Sequence, residues 1–319
     1  MKKNDPVKLS PAYKDYLWGG EKLKSCYGKQ TDISPLAESW ELSTHKDGQS
    51  IIASGEYVGL SLSEYIEKIG KDALGKRAER FDYFPLLIKF IDAKSSLSVQ
   101  VHPSDEYAMR VEGEYGKSEM WYIVDCDEGA FIYYGFARDV SRDEYESAIK
   151  DGTLTSILNA VPVKRGDAFY IEAGTVHAIG AGILICEIQQ NSNTTYRVFD
   201  FNRRDKNGNL RELHIDKALE VSNLKKSPEI KKIPDENEVT LASCEYFDVI
   251  RLRVNGDKEI SVDDDSFLSI ISIDGGAKLI FDGGELDVSA GESVFVPANA
   301  GKITIIGECQ LILSRIGDK

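Results

Sequence analysis

The chain has 319 residues, 42% of them apolar and only nine of them proline, which excludes a mainly disordered polypeptide and fits one large or two medium domains. Its formal net charge is −14 at pH 7, with a pI near 4.9. That balance, without any long Lys/Arg block, argues against nucleic acid or an anionic membrane as the principal partner, and leaves room for a small anionic substrate met by a few inward-facing cations.

The opening segment MKKNDPVKLSPAYKDYLWGG carries positive charge but no apolar run behind it, so no secretory signal is expected. No apolar stretch reaches the roughly 18 residues of a membrane helix. The five cysteines are scattered and form no CxxC pair, as in a cytoplasmic protein with reduced, mostly buried thiols.

Residues 1–60 read as mixed and turn-rich. Leu62, Tyr65, Ile66 and Ile69 recur at helical spacing, so a helical insertion is expected over about 61–80. A second covers about 141–158, opened by Ser141 and Glu144 in the spacing of a capping box. A third covers about 214–222. Elsewhere LLIKFIDA, LSVQVH, SEMWYIVD, AFIYYGF, DAFYIEA, GILICEIQQ and TTYRVFDF read as short strands, rich in β-branched and aromatic residues and separated by Gly, Asp, Asn and Pro. This is an all-β pattern with helical insertions, not a series of βαβ units. The polar stretch 225–238 reads as a linker, which divides the chain into residues 1–235 and 236–319. The segment 163–188 is echoed by 286–316. With Gly166 on Gly291, Phe169 meets Val294, Ile171 meets Val296, and His177 meets Lys302. Two β-barrels are expected, the first chemically active and the second without the histidine.

The chain has only four histidines. In Ser98-Val99-Gln100-Val101-His102 the period-two alternation places Ser98, Gln100 and His102 on one strand face and the valines on the other. The polar face then lines either a barrel cavity or the solvent. Lys117 and Glu119 share a face at the mouth of an apolar run, where a carboxylate is unfavourable unless a cation meets it. His177 follows the turn Gly166 to Gly174. Two imidazoles, a carboxylate and an amide oxygen from three strands would make a metal site, and these ligand types suit zinc and non-haem iron alike. Glu187 interrupts an apolar strand, and Arg197 stands just before another. They form either a structural pair or a fixed charge and cation in an active site. His45, in a turn, and His214, at a helix start, read as structural or exposed.

The placing of Gly166, Gly174 and His177 resembles the second cupin motif, with Glu172 where proline is usual. The first cupin motif is half present, with Gln100 in place of a histidine. The strings PLLIKF (85–90), SVQVHPSD (98–105), GKSEMWY (116–122), GTVHAIG (174–180) and TYRVFDF (195–201) together resemble type I mannose-6-phosphate isomerase in its short bacterial form, most strongly over about 35–205. The resemblance implies two cupin-like jelly rolls. It implies one zinc ion per chain held by Gln100, His102, Glu119 and His177, an essential Arg197, and a substrate pocket with Ser98, Lys117 and Glu187. Asn193 stands where relatives often carry an acid and is left out of the catalytic set.

The implied reaction interconverts mannose 6-phosphate and fructose 6-phosphate through a cis-enediol, which needs an electrophile at the oxygens and a base at carbon. Arg197, with Lys117 or Lys89, would hold the phosphate or stabilise the enediolate. Lys117 is the favoured base and Glu187 the alternative. The competing readings are an iron-dependent cupin dioxygenase and a non-catalytic sugar-binding cupin. The sequence sets neither the oligomeric state nor the role of the C-terminal barrel.

Overall fold

The computed structural model describes residues 4–204 and 208–318. Its sheets are antiparallel. Six strands form one sheet in the order Ala168–Ile171, Glu119–Cys126, Ile183–Gln190, Leu86–Ala93, Glu38–Leu42 and Ala12–Lys14. Five form a second, in the order Tyr196–Phe199, Val99–Val101, His177–Ile179, Phe131–Phe136 and Leu158–Pro162. The two face each other across an apolar cluster that takes Trp121, Ile123 and Ile185 from the first and Ile132, Tyr134 and Ile179 from the second. This sandwich is the first of the two expected barrels.

What covers each outer face explains how its strands read in sequence. Behind the six-stranded sheet, Leu86, Ile88, Phe90, Met120 and Ile188 pack against Phe247, Phe267, Phe295 and Ile312 of the C-terminal sheet. A sheet covered on both sides carries near-continuous apolar strands, and Leu86–Ala93 and Ile183–Gln190 are buried at every position. Behind the five-stranded sheet, Val99, Val101, Ala178 and Val198 meet Tyr145, Ile149 and Leu219 from the helices Arg142–Lys150 and Ile215–Val221. The valines of SVQVH therefore turn outward onto a helical layer, and the polar face of that strand turns into the sandwich.

The C-terminal sheet is built on three long strands, Asp248–Val262, Leu268–Phe281 and Gly301–Arg315, around its own cluster of Leu252, Leu279, Val294, Ile303 and Ile305. Its sheet does not end where the linker does. Val7–Ser10 pairs with Ser293–Val296, in the register Val7↔Phe295, and Ile51–Ile52 extends the same edge. The N-terminal strand thus covers an edge of the second unit. The sequence echo corresponds to a shared turn. Gly166 and Gly291 adopt φ of +93° and +83°, each two residues before a strand.

The expected insertions are present with altered ends. Over 61–80 there is a helix Leu62–Ile69 and two 3₁₀ turns, Lys71–Leu74 and Lys76–Arg80, separated by glycines at positive φ. The full capping box belongs to Ser61 and Glu64. At Ser141 only half forms: its hydroxyl accepts the Glu144 N–H, while the Glu144 carboxylate goes to Arg138. Leu158, the last residue of the second insertion, already belongs to a strand. Helices Lys22–Tyr27 and Asp105–Val111 have no counterpart in the sequence reading.

A buried ion pair ties the two units together. Lys29 Nζ lies 2.6 Å from Glu41 Oε1 and donates to Gly291 O at 2.7 Å, while Ser293 Oγ donates to Glu41 O at 3.1 Å. Both side chains of the pair are buried. Lys29→Met leaves the Glu41 charge buried without its cation. We expect a loss of about 3–5 kcal/mol in urea unfolding, against little change for the exposed pair variant Lys302→Met.

Candidate active site

His102, Glu119 and His177 converge inside the first sandwich, fully buried, with one ligand atom from each lying within 4.8 Å of the others. Each comes from a different strand or strand end. His102 directly follows Val99–Val101, Glu119 opens Glu119–Cys126, and His177 opens His177–Ile179.

Both imidazoles are oriented by backbone carbonyls. His102 Nδ1 lies 3.0 Å from Thr194 O, and His177 Nδ1 lies 2.8 Å from Thr175 O. A carbonyl only accepts, so each ring carries its proton on Nδ1 and turns the Nε2 lone pair inward. His102 Nε2 is 3.5 Å from Glu119 Oε2, and His177 Nε2 is 3.4 Å from Glu119 Oε1. Ligands at the usual metal distances around a tetrahedral ion stand about 3.4 Å apart. Burial pushes His177 down to about 4 and His102 well below its ordinary value, so both rings are neutral. Burial and the neighbouring Glu187 charge raise Glu119. The His177 Nε2 and both Glu119 oxygens have no hydrogen-bond partner. Buried polar atoms are ordinarily satisfied, so this donor set fits a metal ion, which would satisfy all three at once.

Lys117 is the cation at this cluster. Its Nζ lies 3.0 Å from Glu119 Oε2, without hydrogen-bond alignment, and 3.2 Å from His102 Nε2. Glu187 sits on the adjacent strand, where Trp121 Nε1 donates to its Oε2 at 2.8 Å and Lys89 Nζ is 3.4 Å from its Oε1. Burial alone would raise Glu187; the charges of Lys117 and Lys89 overcome it and hold the carboxyl below its ordinary range. Burial would likewise lower Lys89, but Glu38 and Glu187 hold it raised. Lys89 also lies 3.8 Å from Glu38 and 5.0 Å over the Trp40 ring.

Gln100, Ser98 and Arg197 belong to the same interior surface. Gln100 is the cross-strand partner of both His177 and Arg197, and directly opposed residues share a face. Arg197 therefore stands two strand spacings, about 10 Å, from His177. Its Nη1 donates to Glu212 O at 2.9 Å, and its Nε–H is buried without an acceptor. Burial and the nearby guanidiniums of Arg211 and Arg203 lower it. Ser98 is buried on the same face, by alternation from Gln100.

Several contributors have no signal in the sequence. The Thr194 and Thr175 carbonyls are backbone groups. Arg203 and Arg211 are drawn in by the buried Asp200, which both approach. Trp121 looks like core, yet it bonds Glu187 and packs edge-on against His177, with ring centroids 5.3 Å apart. Glu38 and Trp40 could have been found from their period-two placing in AESWELS, since Trp40 Nε1 donates to Glu38 Oε2 at 2.6 Å. His45 and His214 are structural. His45 Nδ1 accepts the Asp47 N–H, and His214 Nδ1 accepts the Arg197 N–H. A groove of about 910 Å³ beside the helix Leu62–Ile69 contains none of the ligand residues.

A jelly-roll sandwich with two carbonyl-locked histidines and a glutamate inside it defines a cupin-type metalloprotein. Residues 7–129 match the model of the type I phosphomannose isomerase catalytic domain, and residues 237–316 that of the mannose-6-phosphate isomerase cupin domain. Over 98% of its length the chain is 38% identical to mannose-6-phosphate isomerase ManA of Bacillus subtilis, covering 99% of that protein. It is 38% identical to the mannose-6-phosphate isomerase of Streptococcus mutans over 79% of this chain and 80% of that one. The crystal structure of the Bacillus subtilis mannose 6-phosphate isomerase superposes with a TM-score of 0.89 at 36% identity, covering 97% of this chain and 99% of that one. The chain belongs to the type I mannose-6-phosphate isomerase family, in its short form.

Glu119→Gln keeps the side chain's size and removes its charge. We expect metal affinity, read by chelator competition, to fall by more than the roughly 10–100-fold typical of losing an outer partner, with the melting temperature of the metal-free protein little changed.

Proposed function

We propose that the chain interconverts D-mannose 6-phosphate and D-fructose 6-phosphate through a cis-enediol, using one zinc ion per chain held by His102, Glu119, His177 and Gln100. The observation that carries this reading is the placing of Lys117 Nζ within 3.2 Å of two ligand atoms, in a chain similar over nearly its full length to mannose-6-phosphate isomerases. Two neutral nitrogen donors and one carboxylate suit zinc. Bound there, a zinc ion would supply Lewis-acid polarisation of the sugar oxygens.

The chain's own residues supply the remaining work. Lys117, whose Nζ stands within 3.2 Å of two ligand atoms, would act as the free amine, a form that the positive charge of a bound metal beside it favours, taking the proton from one of C2 and C1 to become the ammonium and returning it to the other. Glu187, held ionised and fixed by the Trp121 N–H, is the second candidate for that proton. The sheets exclude water from one side of the cavity, which strengthens each charge inside it. Arg197 takes the phosphate end, because its buried Nε–H has no acceptor and Arg203 and Arg211 add positive charge beside it. Ser98 and Lys89 complete the pocket wall; Lys89 is already engaged by Glu38 and Glu187, so the substrate's charge falls mainly to Arg197. We place the reaction in the cytoplasm. In support, all five cysteines are free thiols, and no described helix is long and apolar enough to cross a membrane.

A coupled assay with mannose 6-phosphate as substrate tests the reading. Activity should vanish on chelation and return with zinc, and metal analysis of the protein as purified should find zinc rather than iron. Lys117→Ala should lower kcat by about 10²–10⁴-fold with metal retained. If it instead keeps near-normal turnover while Glu187→Gln loses it, the proton belongs to Glu187. Arg197→Met should act mainly by raising KM.

A further inference from the structure

The segment that delivers Lys117 and Glu119 is irregular before the strand begins at Glu119. Its amide groups have no sheet partner, yet four in succession are held from outside. Tyr115 N donates to Tyr83 Oη at 2.8 Å, and Tyr83 N donates back to Tyr115 Oη at 3.1 Å, with the rings stacked at 3.9 Å. Gly116 N donates to Asp105 Oδ1 at 2.7 Å. Lys117 N donates to Pro103 O at 3.0 Å. Ser118 N donates to Gln190 Oε1 at 2.8 Å, and Gln190 N returns a bond to Ser118 O at 3.1 Å.

Two of those holders are themselves joined. Gln190 Nε2 donates to the same Asp105 Oδ1 at 2.8 Å. Asp105 opens the helix that follows His102-Pro103, and Gln190 ends the strand that carries Glu187. The bridge therefore ties the His102 strand, the Glu187 strand and the Lys117 segment into one unit. The fit is close: a Cβ on Gly116 would lie 2.5 Å from Asp105 N and Ser104 C. The C-terminal unit reaches the same point. Burial, with the charges of Asp105 and Glu245, pushes the Tyr246 phenol far above its ordinary value.

We infer that Asp105 and Gln190 are positioning residues: together they clamp the backbone of residues 116–118 and so keep the Lys117 amino group beside His102 and Glu119. Neither touches the ligand atoms. A lysine on an unrestrained segment would spread over several rotamers and backbone positions, and a misplacement of about 1 Å can lower a rate about 100-fold. The inference rests on the reading that Lys117 acts on the substrate.

Three variants test it: Asp105→Ala, Asp105→Asn and Gln190→Met. The bonds from Gly116 N and Gln190 Nε2 to Asp105 both end on Oδ1, which asparagine retains. With zinc-loaded enzyme we expect Asp105→Ala to lose about 10–100-fold in kcat with KM for mannose 6-phosphate within about twofold. Asp105→Asn should restore most of that loss. Gln190→Met, which breaks the bridge from its other end, should reproduce it. Amide hydrogen exchange should accelerate over 115–118 in the Ala and Met variants and stay unchanged over 86–93. Normal kcat in both Asp105→Ala and Gln190→Met, failure of asparagine to rescue, or unchanged exchange over 115–118 overturns the inference. If wild-type protein shows no isomerase activity, the functional reading fails, and the exchange measurement still decides whether Asp105 and Gln190 hold the segment.

Discussion

Glu119 is a carboxylate with no accessible surface, set between two imidazoles that have already given their only N–H to backbone carbonyls. Neither ring can donate to it, and both Nε2 lone pairs point toward it. Such an arrangement is unfavourable in a protein interior unless something positive stands among the three groups. Lys117 supplies one charge at one edge. The rest of the first sandwich can be understood as the scaffold that keeps this unfavourable set together until a metal ion completes it.

The supporting groups are graded by distance from that centre. Nearest are Lys117 and Glu187, whose charges act on the ligands and on each other. Behind them, Lys89 is shared between Glu187 and Glu38, and the Trp40 and Trp121 indoles donate to the same two acids. Each buried charge thus meets an opposite one or a fixed donor. Removing a single member leaves its partner as a buried charge without its counterpart. Arg197 lies farther along the same face, its Nη1 bonded to Glu212 O and its Nε–H buried without an acceptor.

The second unit contributes no ligand, and its alignment partner for His177 is Lys302. Its contribution is mechanical. It covers the outer face of the six-stranded sheet, so Leu86–Ala93 and Ile183–Gln190 can be apolar on one side while presenting Lys89 and Glu187 on the other. The Val7–Ser10 strand and the Lys29–Glu41 pair bind the two units from the N-terminal side. The C-terminal sheet is therefore the back wall of the first sandwich.

The period-two spacing of Ser98, Gln100 and His102, the Lys117/Glu119 pair and the Gly-bounded turn before His177 marked these residues as candidates, because strand geometry fixes which side chains share a face, and the family resemblance named the ligand set; the fold brings His102, Glu119 and His177 together. Whether that face was cavity or solvent was not in the pattern. It was decided when the helices Arg142–Lys150 and Ile215–Val221 covered Val99 and Val101. The capping of Ser141, the short helix at Asp105 and the pairing of Val7–Ser10 with Ser293–Val296 also depended on partners distant in the chain. Most of all, the carbonyls of Thr194 and Thr175 that set both histidine tautomers are backbone atoms, identical in every residue type. Only the folded chain brings them to the rings, so the sequence could single out these residues while the tertiary structure alone turned both Nε2 atoms toward Glu119.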